Sequence, residues 1–556
     1  MKKGTALVIA VIAGFLGIFL LYPILYVLKE AFFSQGTFSL AYFRNILANP
    51  TARTAMANSF LLSLATTLVT ALLAIPLAFL TTRFRFPGKT LLTGLLLVPM
   101  IMPPFVGAIG MRQFLARFGS INLLLIQGGL IASPIDWLGS ARFWGVVLVE
   151  ALHLYPIFYL NASAALANVD PALEEAAANL GSSRLRTFWR VTLPLMMPGL
   201  FAGAILVSLW AFTDLGTPLI FEYRNVMAVQ IFDRTTDLTD NPEGHALVVL
   251  MLLITTVIFL TSKRFFGKKG YETVGKGTTG KAEKELSPFW GLLAMAAVGG
   301  VVLVACLPHI AVIFTAIREK WFMTILPESY TFQYFEKALG HNLTLPSIRN
   351  SILLSTVSAF LDIVLGVTIA YLLARRKFRG ANLLDAAVML PLAIPGIVLA
   401  FGYLACFAGT ALDPRLNPLP LLAIAYSVRR LPYMVRAAYG GFLQISQSLE
   451  EAAVNLGSGT WRTVRRITLP LISANVLAGA ILVFSFAMLE VSESLILAVK
   501  EQYFPITKAI YQLMGRIEDG AFMASALGVW SMAFLAVSLL AAGVLLGRRM
   551  GQLFRI

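Results

Sequence analysis

The stretch Glu174-Glu175-Ala176-Ala177-Ala178-Asn179-Leu180-Gly181, followed by Val191-Thr192-Leu193-Pro194, recurs as Glu450-Glu451-Ala452-Ala453-Val454-Asn455-Leu456-Gly457, followed by Ile467-Thr468-Leu469-Pro470. Both copies are charged loops in a chain that is 58% hydrophobic and only 13% charged. A soluble domain carries about 25% charged residues. Spans held by lipid need little sequence detail, so a polar loop repeated this closely points to a docking surface used twice. The chain reads as the membrane half of a machine powered by something else.

Within the first loop, Asp170-Pro171 has the form of a helix start, an N-cap acceptor followed by proline. Glu174 and Glu175 then lie at the positive end of that helix, where carboxylates are favoured. Gly181 tolerates the left-handed conformation that ends a helix. A basic segment, Arg184 to Arg190, leads on to Pro194. In the second copy Gln447-Ser448 stands in for the Asp-Pro start. A short helix with small residues on one face and acids at its head suits a groove on another protein.

Twelve segments are apolar enough for about 20 residues of membrane span: near 5–27, 57–82, 90–114, 142–164, 196–221, 244–262, 289–316, 350–374, 382–408, 417–441, 472–498 and 523–546. The first is longer than a signal-peptide core and lacks a clear cleavage site, so we read it as a retained span. The net charge of +16 sits between apolar runs, at Lys2-Lys3, Arg83 to Lys89, Lys263 to Lys284, Arg375 to Arg379 and Arg548-Arg549. That is the positive-inside pattern rather than a nucleic-acid surface. With both termini inside, the two Glu-Glu-Ala-Ala loops fall on the cytoplasmic face. Two cysteines in apolar segments and four scattered histidines supply neither a disulfide framework nor a metal site.

The repeat extends beyond the loops. Asn58-Ser59, Phe86, Pro99, Pro103 and Gly110 recur 292 residues later, and Pro156, Glu175 and Pro194 recur 276 residues later. The difference of 16 is extra outer-face sequence between spans 3 and 4. Six spans per half make the halves parallel, with a pathway expected at their interface. The fold expected is all-α and integral to the membrane, with two parallel six-helix repeats. Its units are 1–262 and 288–556, joined by a flexible linker at 263–287. Two near-matches to a phosphate-binding loop in the linker, Gly270 to Lys276 and Gly275 to Lys281, lack the Ser/Thr that holds magnesium. No nucleotide site of the chain's own is expected.

The run Glu-Ala-Ala, three residues, Gly, nine residues, an aliphatic, one residue, Leu-Pro is met by Glu175 to Pro194 and by Glu451 to Pro470. It resembles the signature of membrane subunits of bacterial ABC importers, and the two-unit layout resembles the ferric-iron permeases. Thr213-Asp214-Leu215-Gly216-Thr217-Pro218 and Val428-Arg429-Arg430-Leu431-Pro432-Tyr433 add to that likeness. The resemblance implies a type I importer fold in the bacterial inner membrane and no catalytic residue or cofactor in this chain. It implies coupling helices at Glu174, Glu175, Ala176, Ala177, Gly181 and at Glu450, Glu451, Ala452, Ala453, Gly457. Two cytoplasmic ATPase copies, holding ATP and magnesium, would dock there, and a periplasmic or extracellular binding protein would deliver the solute. Ferric iron is the expected solute, with phosphonates, sugar phosphates, thiamine or polyamines carried by relatives of the same layout.

Candidate pathway residues are Asp214 and Glu490, equivalent under the 276 offset, with Glu493 one turn on. Ionisable groups at membrane depth face a cavity or a partner. The pair attracts a cation or metal complex in transit, makes an interhelical salt bridge, or sits at an interfacial position near the outer end. Arg429 and Arg430 align with His153 and Leu154, and Glu150 lies one turn before His153. The arginines either favour an anionic solute or are neutralised by Glu150, Asp214 or Glu490. A Glu150–arginine or Glu150–His153 pairing is also open. Pro99, Pro103, Pro104, Pro391 and Pro395 are expected to kink spans 3 and 9 and free carbonyls near the pathway. The rival class, an ion-coupled secondary transporter, accounts for parallel halves but not for two matched docking loops. A membrane enzyme has no haem pair, metal cluster or nucleophile to support it.

Overall fold

A computed structural model describes residues 3–34, 36–101, 103–137, 139, 142–235, 242–266, 283–376 and 378–546. Among them, nine helices are long and apolar enough to cross a membrane, and eleven if two sharply bent helix pairs each count as a span. The twelfth expected segment is the helix Leu419–Gln444, 26 residues long. Arg429, Arg430 and Arg436 make it more polar than the other eleven. The two near-matches to a phosphate loop lie outside the described residues.

Spans 3 and 9 are not single helices. Lys89–Met100 meets Pro104–Phe114 at 93°, and Ala381–Leu392 meets Gly396–Cys406 at 98°. Pro103 and Pro395 sit at the breaks, where a missing N–H and a fixed φ end the helix before them. The first bend lies at the cavity between the halves, which Met100, Pro103 and Pro104 line, and two of its carbonyls are taken up by span 4. Tyr155 donates its hydroxyl to Leu96 O (2.7 Å), and His153 Nδ1 lies 2.9 Å from Pro99 O.

Spans 5 and 11 also differ from expectation. The fifth begins at Arg184, not at 196, and ends at Thr213; the eleventh runs from Trp461 to Met488. Pro194 and Pro470 do not break these helices, because a π-turn absorbs the missing donor in each copy. It spans Phe188–Thr192 in the first and Val464–Thr468 in the second. Leu193 N–H reaches back to Phe188 O, and Leu469 N–H to Val464 O. Such bulges are rare and concentrate at functional sites. The Leu-Pro of the repeated signature is thus the place where each span widens by one residue.

The repeated Asn-Ser pairs acquire a reason in the fold. Asn58 Nδ2 donates to Asn225 O (3.0 Å), and Ser59 Oγ accepts from Met227 N (2.8 Å). In the second half Asn350 Nδ2 donates to Gln502 O (3.0 Å), and Ser351 Oγ accepts from Ile506 N (2.7 Å). Each pair pins the second short helix after span 5 or 11, Met227–Asp233 or Ile506–Met514, against span 2 or 8.

The halves interlock. The first span, Gly4–Phe32, packs on Gly396–Cys406 of the second half, and Pro288–Ile317 packs on Pro104–Phe114 of the first. The matched glycines Gly110 and Gly402 make these crossings close. A Cβ at Gly110 would overlap the backbone of Ala311 and Val312, and one at Gly402 would lie 3.1 Å from Pro23 Cβ. The Tyr403 hydroxyl donates to Phe19 O (2.5 Å) in a π-turn of the first span. The end of the linker is likewise docked rather than free. Lys284–Glu285 pairs in parallel with Phe84–Arg85, and Lys89 meets Glu283 at 3.0 Å.

Candidate functional site

The two repeated loops fold alike. The first helix is Pro171–Asn179, with the Asp170 carboxylate accepting from Ala172 N (2.9 Å). The second is Gln447–Asn455, capped by Ser446, whose hydroxyl accepts from Ser448 N (3.3 Å). Ser446 is the residue aligned with Asp170, so the cap is one position earlier than the expected Gln447-Ser448. Both helices end on a left-handed glycine, Gly181 at φ +80° and Gly457 at φ +84°. Ser182 N–H bonds Ala177 O and Ser458 N–H bonds Ala453 O, which closes the last turn.

Glu174 and Glu450 do not point outward. Arg83 Nη2 lies 3.2 Å from Glu174 Oε2, and Thr192 Oγ1 donates to Glu174 Oε1 (2.7 Å). In the second copy Arg375 Nε lies 3.1 Å from Glu450 Oε1, and Thr468 Oγ1 donates to the same oxygen (3.2 Å). Each loop is thereby clamped to the end of span 2 or 8 and to the π-turn of span 5 or 11. The outward surface is made by Glu175, Ala176, Glu451 and Ala452 with Leu180 and Leu456, each 89% exposed. Ala177 is half-buried and Ala453 is buried.

Between the halves lies a cavity of about 240 Å³, and Glu150, His153, Asp214, Arg429, Arg430 and Glu490 all line it. Glu493 stands directly behind the wall, fully buried. The two walls are not alike. On the second-half side Arg429 Nη1 contacts Glu490 (3.3 Å) and Glu493 (3.7 Å), while Arg430 contacts Glu493 (3.7 Å) and is hydrogen-bonded to Glu490. Two guanidinium groups and two carboxylates form a closed set, the arrangement that makes buried charge tolerable. The arginines are therefore neutralised by Glu490 and Glu493, not by Glu150 or Asp214. Arg429 also lies against the α-carbon of Gly396, where any side chain would collide with its guanidinium.

On the first-half side Asp214 ends the span and accepts from Gly216 N (3.3 Å) and Thr217 N (3.0 Å). Glu490 does the same for Glu493 N (3.3 Å), so the equivalent acids each cap the short helix after a break. Glu150 accepts from Thr66 Oγ1 (3.2 Å), and its other oxygen has no hydrogen-bond partner among the described residues. It pairs with neither an arginine nor His153. No three His, Cys, Asp or Glu side chains among the described residues are placed to hold a metal.

Asp362, which the sequence reading passed over, is fully buried in span 8 and accepts from Ser427 Oγ (2.5 Å). A lone carboxylate inside an apolar run was the available signal. Equivalence between the halves does not reveal it, because its counterpart is the uncharged Thr70.

The pattern describing the binding-protein-dependent transport system inner membrane component matches residues 71–269 and 363–552. The chain belongs to this family. As an ABC importer permease it is a transport component, and the ATPase of such a system is a separate subunit. It is 27% identical over 503 residues to the putative ferric transport system permease protein FbpB 1 of Haemophilus influenzae, covering 87% of this chain and 76% of that one. It is 25% identical over 514 residues to the ferric transport system permease protein FbpB of Actinobacillus pleuropneumoniae, covering 91% and 72%. One part, 34% of the permease, is 34% identical to the molybdate/tungstate transport system permease protein WtpB of Pyrococcus furiosus, covering 73% of that protein.

Proposed function

We propose that this permease forms the membrane passage for ferric iron, delivered by a solute-binding protein and driven by two ATPase subunits docked on Pro171–Asn179 and Gln447–Asn455. The similarity to ferric permeases over most of the chain carries the choice of solute, and the charge of the cavity agrees with it. With both arginines neutralised by Glu490 and Glu493, Glu150 and Asp214 are left as surplus acid, which suits a cation better than an anion. Both termini and both repeat loops are assigned to the cytoplasmic face, where the basic segments concentrate. ATP and magnesium belong to the partner subunits.

The molybdate/tungstate relative supports an oxyanion as the second reading, because Arg429 reaches the cavity. Reconstitution in liposomes with the ATPase and binding protein separates the two. ATP-dependent uptake of radiolabelled ferric iron is expected, and uptake of molybdate instead would replace the solute assigned. Uptake on an ion gradient with no ATPase present would overturn the importer mechanism itself.

A further inference from the structure

We infer that Glu150 and Asp214 together form a weak holding point for a hard, multiply charged cation, on the first-half wall of the cavity only. This deepens the ferric reading of the same cavity and rests on it for the identity of the natural ion.

The pseudo-symmetry of the chain makes the case by contrast. Asp214 and Glu490 occupy equivalent positions and perform the same capping role, yet only Glu490 is enclosed by cations. Under the same relation His153 corresponds to Arg429 and Leu154 to Arg430, so the first half lacks the two positive charges that silence the second. Glu150 and Asp214 line the same cavity. Neither has a basic partner among the described residues. Glu150 is only 1% exposed, and its unpartnered oxygen is the kind of buried acceptor that needs occupation.

Two like charges in such a place are relieved either by a proton or by a cation. An arriving multivalent ion displaces the proton and engages both carboxylates. Hard oxygen donors select hard cations. His153, tied through Nδ1 to Pro99 O, is not placed to complete a three-residue set with the two acids, so the carboxylates act as a pair. The set is incomplete as a metal cage, and for a passage that is an advantage. Conduction needs binding strong enough to admit the ion and weak enough to release it. The cavity also has room for several water molecules around the ion.

Trp210 lines the same cavity and supplies a probe. Purified permease in nanodiscs is titrated with terbium(III), a hard trivalent ion whose luminescence is sensitised by a nearby indole. The wild type should give a saturable signal that Trp210→Phe abolishes and gallium(III) competes away. Glu150→Gln with Asp214→Asn should weaken binding at least about tenfold, with an unchanged size-exclusion profile and circular dichroism spectrum. Equal binding by the double variant, or a signal that survives Trp210→Phe, overturns the inference. If the double variant does not fold, Glu150→Gln alone, which keeps the side-chain shape, is read against the same two outcomes. Uptake distinguishes this failure from failure of the function. A complete importer that moves ferric iron equally well with and without Glu150 and Asp214 refutes the holding point alone. A wild-type importer that binds terbium in the cavity but takes up no ferric iron refutes the solute alone.

Discussion

Arg375 Nε lies 3.1 Å from Glu450 Oε1, and their counterparts Arg83 and Glu174 meet at 3.2 Å in the other half. Arg375 also donates through Nη2 to Phe442 O and Ile445 O, at the end of the helix that precedes the second loop. The guanidinium joins three elements: the end of span 8, the end of span 10 and the helix Gln447–Asn455. Motion imposed on the helix from outside therefore reaches two spans directly, through charge-assisted bonds stronger than ordinary ones.

Removing that connection should loosen the loops before it unfolds the bundle. Glu174→Gln combined with Glu450→Gln keeps shape and removes charge. We expect amide exchange in 171–179 and 447–455 to accelerate by about tenfold for each 1.4 kcal/mol lost. ATP hydrolysis by the assembled importer should continue while uptake per ATP falls. Unchanged exchange at both loops would show that the clamps carry no load.

The loop glycines offer a test that separates backbone strain from crowding. A Cβ at Gly181 or Gly457 would meet nothing within 4 Å, so the cost of substitution lies in the positive φ alone. Alanine should cost roughly 1–2 kcal/mol locally. Asparagine should be milder and valine worse. Uptake per ATP should follow that order, and equal behaviour of asparagine and valine would remove the glycines from the coupling mechanism.

The interlocking glycines should behave in the opposite way. Gly110→Ala drives a methyl group into the backbone of span 7, whereas Gly402→Ala brings one to 3.1 Å from Pro23 Cβ, a tight contact that a shift of a few tenths of an ångström relieves. Overpacking of this kind costs typically about 1–3 kcal/mol. Gly110→Ala should lower the melting temperature in detergent clearly more than Gly402→Ala. The reverse order would mean that the first-span crossing is the tighter one.

The four-charge set should respond asymmetrically to partial and complete removal. Arg430→Ala leaves two buried carboxylates sharing Arg429, and breaking a buried pair this way costs about 3–5 kcal/mol. Replacing Arg430 with Met and Glu490 with Leu together should recover much of that loss. A double-mutant cycle by thermal denaturation measures the difference, and simple additivity would show that the contacts are not coupled.

How much of this was legible in the chain depends on what each feature needs. The repeat, the existence of the apolar segments and the loop helices were written locally, in apolar runs, Asp170-Pro171 and Gly181. The cavity residues were reached through equivalence across the two offsets, which works for Asp214 and Glu490 because both copies are acidic. It fails for Asp362, opposite Thr70. The inward turn of Glu174 was not legible, since Arg83 and Thr192 are distant in sequence and only the bundle brings them together. Nor was the course of spans 5 and 11: a proline reads as a break, and only the backbone shows that a π-turn carries the helix through. The right-angle bends of spans 3 and 9 were foreshadowed by their prolines, but not in size.

The crossing of Pro23 over Gly402 bears on biosynthesis. Roughly 380 residues separate the two, which at synthesis rates of about 5–20 residues per second leaves the leading helix waiting on the order of 20–80 s for its seat. During that interval lipid, or an insertion factor, must shelter a surface meant for protein. Expressing the halves as separate polypeptides would turn this timed hand-over into a search between two incomplete molecules, each holding the other's missing helix.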